Sequence, residues 1–183
     1  MRHTGTQTLE TERLILRRYT VDDARQMYDH WASDPEVTEY LTWQPHASVD
    51  VTRQLLEQWE KSYERPDTYH WGLVLKSTGE LIGDIAVMRI DEDIREAELG
   101  WCMGKRWWGQ GLMPEAGRAM LKYLFEVAGF NRVSAKHDRE NPKSGRAMQK
   151  LGMTCEGTRR QAGRNNRGII DDVCYAILKS DIT

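Results

Sequence analysis

Only two phenylalanines, five prolines and three cysteines occur among the 183 residues. The cysteines, Cys102, Cys155 and Cys174, are odd in number and far apart, which excludes a disulfide framework and the usual zinc spacings. His70 and His137 have no partner at metal-ligand spacing either, so no metal is expected. No apolar run approaches the ~18 residues of a transmembrane helix. The opening Met1-Arg2-His3-Thr4-Gly5 lacks the profile of a secretory leader. The expected setting is the reducing cytoplasm, without a membrane partner. An excess of one charge is missing too. Lys and Arg number 26 against 28 Asp and Glu, leaving a net −2 and no general basic field to attract nucleic acid. Repeats, linkers and low-complexity tracts are absent, so residues 1–183 read as one domain of ordinary size. Two common phosphate loops, G-x-x-x-x-G-K-[ST] and G-x-G-x-x-G, are also missing.

What is present centres on Glu98 to Ala116. Leu99, Trp101 and Met103 alternate as a strand requires, with Glu98 at its start. Gly109 and Gly111 strip side chains from a loop that carries Lys105 and Arg106. Pro114 suits the first turn of a helix, and Glu115 complements the positive end of its dipole. Free backbone N–H groups, cations and a helix start together describe an anion site, most naturally for phosphates. An ordinary tight turn before a helix has the same outline.

The remainder falls into elements around that stretch. Residues up to Leu9 are polar and expected to be loose. Arg13 to Arg18 forms a short strand near a sheet edge. Thr20 caps a helix with Val21, Ala24, Met27, Tyr28 and Trp31 on one face, and Asp34-Pro35 opens a further helical piece. Ser48 caps a helix whose apolar stripe is Val51, Leu55, Leu56, Trp59 and Tyr63. Strands Tyr69 to Lys76 and Leu81 to Arg89 flank a hairpin turn at Ser77-Thr78-Gly79-Glu80. The helix after the central loop ends at Gly129, Arg132 to His137 is a strand, and Asn141-Pro142 opens a last helix. Strands Thr154 to Gln161 and Ile169 to Lys179 then enclose a loop rich in Gly, Asn and Arg. This order implies an α/β fold, a mixed sheet with helices on both faces.

The segment Arg106-x-x-Gly109-x-Gly111 resembles the [QR]-x-x-G-x-[GA] acetyl-coenzyme A signature of the GNAT acetyltransferases. The run Trp107 to Ala116 is similar to the W-G-x-G-x-x-x-E-A form of the ribosomal-protein (Rim-type) branch. Asn141-x-x-Ser144 with Lys150-Leu151-Gly152-Met153 resembles the family's N-x-[AS]-S-x-x-x-x-x-K-x-G-F helix, and Thr11 to Arg17 is similar to the Rim-type opening T-x-R-L-x-L-R. The resemblance runs from about Thr11 to Ser180. It implies a GNAT fold, a mostly antiparallel sheet splayed at its central strand. It also implies acetyl-coenzyme A as cosubstrate, without a metal.

Transfer from a thioester to an amine needs a proton acceptor, stabilisation of the carbonyl oxygen and an exit for the thiolate. The resemblance assigns the carbonyl and pantetheine to main chain at Trp101, Cys102 and Met103. It assigns the pyrophosphate to Arg106, Trp107, Trp108, Gly109, Gln110 and Gly111 with Leu112 beyond, the Arg106 guanidinium adding a charge-assisted contact. Glu98 is the candidate base, directly or through water; the alternative is a surface carboxylate. Asp84 is a second candidate, whose plainer reading is a hydrogen-bonding residue at a turn or strand end. The tyrosine usual seven residues after the asparagine is Met148 here. The resemblance then makes Ser144 the candidate acid, the alternative being an inert first-turn residue, with Asn141 binding the pantetheine or positioning the sulfur.

Trp31, Trp43, His46 and Tyr69 are candidates for the acceptor pocket, although large aromatics on such helices are usually core. Arg159, Arg160, Arg164 and Arg167 would attract an acidic peptide, ribosomal RNA or an anionic small molecule, or else form a solvated hairpin tip. The expected partner is an amine acceptor, either a protein N terminus or a small molecule such as an antibiotic. A homodimer through the final hairpin is a fold-level expectation. The rival class is a non-catalytic acyl-coenzyme A-binding module.

Overall fold

The computed structural model describes residues 1–182. Eight strands form one sheet in the order β1-β2-β3-β4-β5-β6-β8-β7. They are β1 (Leu9–Glu10), β2 (Leu14–Arg17), β3 (His70–Leu75), β4 (Leu81–Asp91), β5 (Glu96–Met103), β6 (Arg132–Asp138), β7 (Thr154–Asn165) and β8 (Gly168–Leu178). Every pairing is antiparallel except β5 with β6. A parallel pair needs a crossover, and helix α4 (Leu112–Tyr123) supplies it. Among the described residues, no helix is long and apolar enough to cross a membrane.

The strands alternate between two apolar layers. Leu14, Leu16, Trp71, Leu73, Ile85, Ala97, Leu99 and Met103 face α4, whose Ala116, Met120 and Leu121 meet them, with Leu124 just beyond its end. Met148 and Leu151 of α5 (Pro142–Lys150) extend that layer. The opposite face of the N-terminal half packs on α1 (Ala24–Met27), α2 (Pro35–Thr38) and α3 (Val49–Ser62) through Tyr19, Met27, Trp31, Leu56 and Cys102. Helices thus lie on both faces.

Thr20 is the N-cap of the first helical turn as expected, and Asp23 completes a capping box, its carboxylate accepting from the Thr20 N–H at 2.9 Å. Several local expectations change. Val51 is exposed and Thr52 takes its place in the buried stripe of α3. The N-terminal residues are tied down rather than loose: His3 and the Thr4 amide bond the Tyr69 hydroxyl, and Thr6 is buried against Thr68. Strand β5 starts at Glu96, two residues before Glu98, because Arg132 and Arg89 neutralise Glu96 across the sheet.

The Thr11–Arg13 segment fastens the start of α4 to the sheet. Glu115 accepts from the Thr11 hydroxyl at 2.6 Å, the Arg13 amide at 2.9 Å and the Arg13 guanidinium at 2.7 Å. Burial alone would push the Glu115 carboxyl up, but these three donors hold it below the usual carboxylate range. A lowered folded-state value contributes stability that is present above the ordinary carboxylate range and lost as pH falls through the folded value. Glu115→Gln is therefore expected to cost about 1.5 kcal/mol at pH 7 and to flatten the loss of stability on acidification. Melting curves from pH 7 to pH 3 on both proteins read this directly.

Candidate active site

The sheet opens between β5 and β6, the only parallel pair among the described residues. Strand β6 accompanies β5 only from Glu96 to Leu99, whereas β4 stays paired to Met103. Beyond Leu99 a wedge therefore separates residues 100–103 from Lys136, His137 and Asp138, which remain paired with β8. The Gly104 and Cys102 amides turn toward β4, donating to the Ile82 carbonyl and the Asp84 carboxylate. By strand alternation the amides of Trp101 and Met103 turn into the wedge. On that side the Met103 carbonyl is taken by the Trp108 indole N–H at 2.7 Å.

The glycine loop closes one end of the wedge. Gly109 and Gly111 both have φ of +76°, a conformation open to glycine at little cost. The amides of Gly109, Gln110 and Gly111 have no partner among the described residues, and the unpaired first-turn amides of α4 follow them. Arg13 donates to the Gln110 carbonyl at 3.0 Å and so clamps the loop onto β2. These residues fit a diphosphate. Trp107 and Leu112 are buried supports of the loop. The Arg106 guanidinium, expected to join the phosphates, instead pairs with Glu80 at 3.0 Å and lies over the Trp107 ring. Lys105 pairs with Glu36. A cation comes from the other flank: the Lys143 ammonium of α5 sits 4.0 Å from the centre of the Trp108 ring.

Asn141 caps α5, its side-chain oxygen accepting from the Ser144 amide at 3.4 Å. Its own amide is held by the Asp138 carbonyl at 2.7 Å. The Ser144 hydroxyl is half-buried and has no partner among the described residues. Met148 points into the core and supplies no acid.

Glu98, Gly100 and Cys102 share the α1–α3 side of the sheet with Asp84. Glu98 lies inside the strand, beside the point where the wedge opens. Its carboxylate meets Lys136 at 2.9 Å and Arg89 at 3.5 Å, with the side chain 18% exposed. Asp84 lies in the interior of β4 rather than at a turn. It accepts from the Cys102 amide at 3.3 Å and the Tyr19 hydroxyl at 3.3 Å, and it faces His70 Nε2 at 3.3 Å. Burial, then Asp84, pushes the Cys102 thiol well above its ordinary value. A thiol so held is a poor nucleophile.

The aromatic candidates divide. Trp31 and Tyr69 are fully buried core residues. Trp43 and His46 stack at 5.1 Å in the half-exposed loop between α2 and α3. Arg159, Arg160 and Arg164 are exposed, as a solvated tip would have them, but Arg167 is held by distant partners. Strands β7 and β8 run on to Asn165 and Gly168, and Arg167 pairs with Asp138 and Glu39 over the Tyr40 ring. Nothing local in the Gly-, Asn- and Arg-rich sequence signals this, because the partners lie far away in the chain.

The Acetyltransferase (GNAT) domain family matches residues 13–154. The N-acetyltransferase p20 of Bacillus licheniformis is 31% identical over 175 residues, covering 96% of this chain and 98% of that protein. The [ribosomal protein uS5]-alanine N-acetyltransferase of Escherichia coli strain K12 is 25% identical over 155 residues, covering 81% and 79% of the two chains. Among solved structures, a GNAT-family acetyltransferase from Bacillus anthracis superposes with a TM-score of 0.83 at 25% identity, covering 95% of this chain and 99% of that one.

Proposed function

This chain belongs to the GNAT acetyltransferase family, an acetyl-coenzyme A-dependent N-acetyltransferase, and we propose that its acceptor is the N-terminal amine of a protein. The observation that carries the reading of the site is the wedge, where pairing with β6 stops at Leu99 while β5 continues to Met103. The Trp101 and Met103 amides there donate to the thioester carbonyl as it gains charge. The free amides of Gly109 to Gly111 and the start of α4 hold the pyrophosphate, and Lys143 supplies the charge that Arg106 has committed to Glu80. The amine approaches from the α1–α3 side and attacks the carbonyl carbon. As its C–N bond forms, the proton passes to Glu98 and the C–S bond breaks. Asn141 orients the pantetheine, and the unpartnered Ser144 hydroxyl donates to the departing sulfur. Transfer is direct, because burial and Asp84 keep Cys102, the thiol on this strand, protonated. Similarity to an enzyme named for the alanine of a ribosomal protein supports a protein N terminus over a small amine.

The test begins with melting curves in excess acetyl-coenzyme A, with adenosine 3′,5′-bisphosphate as a partial ligand. At about 100 times Kd the gain is about 2.7 kcal/mol, a shift of several degrees. Peptides with free N termini and small amines are then compared as acceptors by release of the coenzyme thiol. Turnover with small amines alone would reject the protein acceptor, and absence of a melting shift would reject the coenzyme site.

A further inference from the structure

The tip of the β7–β8 hairpin is bonded to the loop between α2 and α3. Asn166 donates from its side chain to the Thr38 and Trp43 carbonyls, both at 2.8 Å, and from its amide to the Leu41 carbonyl at 3.0 Å. Its side-chain oxygen accepts from Gln44 at 2.7 Å. Next to it, Asn165 is buried and donates to Asp138 at 2.8 Å, which fixes the tip to the end of β6, where the wedge is open. Along this seam lies a cleft of about 430 Å³ lined by Thr42, Gln44, Arg164, Asn165, Asn166 and Gly168. No carboxylate and no apolar side chain lines it.

The bonds above use every N–H group of Asn166, so it builds the cleft and leaves donation to a ligand to others. The Thr42 hydroxyl, the remaining Gln44 amide hydrogen and the exposed Arg164 guanidinium have no partner among the described residues. Arg167 differs, being paired with Glu39 and Asp138. A site made of neutral donors and one free guanidinium selects carboxylates and peptide carbonyls. Its place at the open end of the wedge is where a chain would trail from an amine held near Glu98. We propose that this cleft receives an acidic segment of the acceptor protein downstream of its N terminus, with Arg164 as charge partner and Asn166 as positioning residue. The proposal rests on the reading of the acceptor as a protein N terminus.

Three alanine-initiated hexapeptides test it, carrying Asp and Glu, Asn and Gln, or Lys at positions three to six. The wild-type enzyme is expected to prefer the acidic peptide over the neutral one at least tenfold in kcat/KM, mostly through KM. The preference shrinks as salt is raised. Arg164→Gln abolishes the preference and Arg164→Glu reverses it toward the lysine peptide. Asn166→Ala raises KM for the acidic peptide while leaving KM for acetyl-coenzyme A unchanged, a split that general loss of structure would not produce. Equal rates on the three peptides, or an acidic preference that survives Arg164→Glu, would overturn the proposal and leave the N-terminal acceptor standing. A short single-stranded RNA that displaces the acidic peptide and loses affinity in Arg164→Glu would reassign the cleft to nucleic acid. If no peptide is acetylated while small amines are, the acceptor reading itself has failed, and this site with it.

Discussion

Replacing Glu98 by glutamine is expected to lower kcat by about 100-fold while leaving Kd for acetyl-coenzyme A within a factor of two. Glutamine keeps the shape of the side chain but has no carboxylate to take the amine proton. In the proposed site the coenzyme rests on main chain and on the opposite flank, so its binding is expected to survive the exchange. Glu98 also neutralises Lys136 and Arg89, and their release is a cost to stability. That pair of cations has a large exposed fraction, 44% and 56% of the side chains, so the cost is small beside the kinetic effect. Melting curves separate the two. Cys102→Ser serves as a control and retains turnover within a few-fold, since no acetyl-cysteine forms. Unchanged kcat in Glu98→Gln would remove this carboxylate from the chemistry. Asp84, on the same side of the sheet and 14% exposed, would then be the next base to test.

Much of this architecture was legible before any coordinates. Alternation fixed β3 and β4 around the Ser77–Glu80 turn, and the glycines and Pro114 fixed the loop and the helix after it. The T-x-R-L opening was visible only as a resemblance; its physical reason is that Thr11 and Arg13 bind Glu115 and the Gln110 carbonyl. What escaped the sequence depended on partners distant in the chain. Glu96 lies before the strand that alternation marks from Glu98, and only its pairing with Arg132 and Arg89 brings it into the sheet. Arg106 reads locally as a loop cation, and its pairing with Glu80 leaves no trace in the local pattern. The hairpin tip has the composition of a solvated loop, and only the carbonyls of Thr38, Leu41 and Trp43, more than 120 residues earlier, make it a wall. Side-chain pairing across the fold is a three-dimensional fact, and local pattern carries little of it.

Gly83, on β4 behind the wedge, is a second sensitive position. It faces Met103 across β4 and β5, and a Cβ there would lie 2.8 Å from the Met103 Cα and closer still to the Cys102 carbonyl oxygen. Both obstacles are backbone, so no rotamer relieves them. Gly83→Ala must push the end of β5 away from β4 and into the gap that β6 leaves open. The segment displaced is the one whose Trp101 and Met103 amides face the wedge and, in the proposed site, the thioester. The expected result is a loss of about 3 kcal/mol of stability and at least a 100-fold weaker Kd for acetyl-coenzyme A. Gly79→Ala separates these effects. Gly79 has a φ of +72° with open space around it, so alanine there strains the turn by about 1 kcal/mol and touches nothing near the wedge. It should bind coenzyme as the wild type does. If Gly83→Ala folds and also binds normally, the coenzyme does not lie along residues 101–103, because that backbone cannot remain in place beside a methyl group.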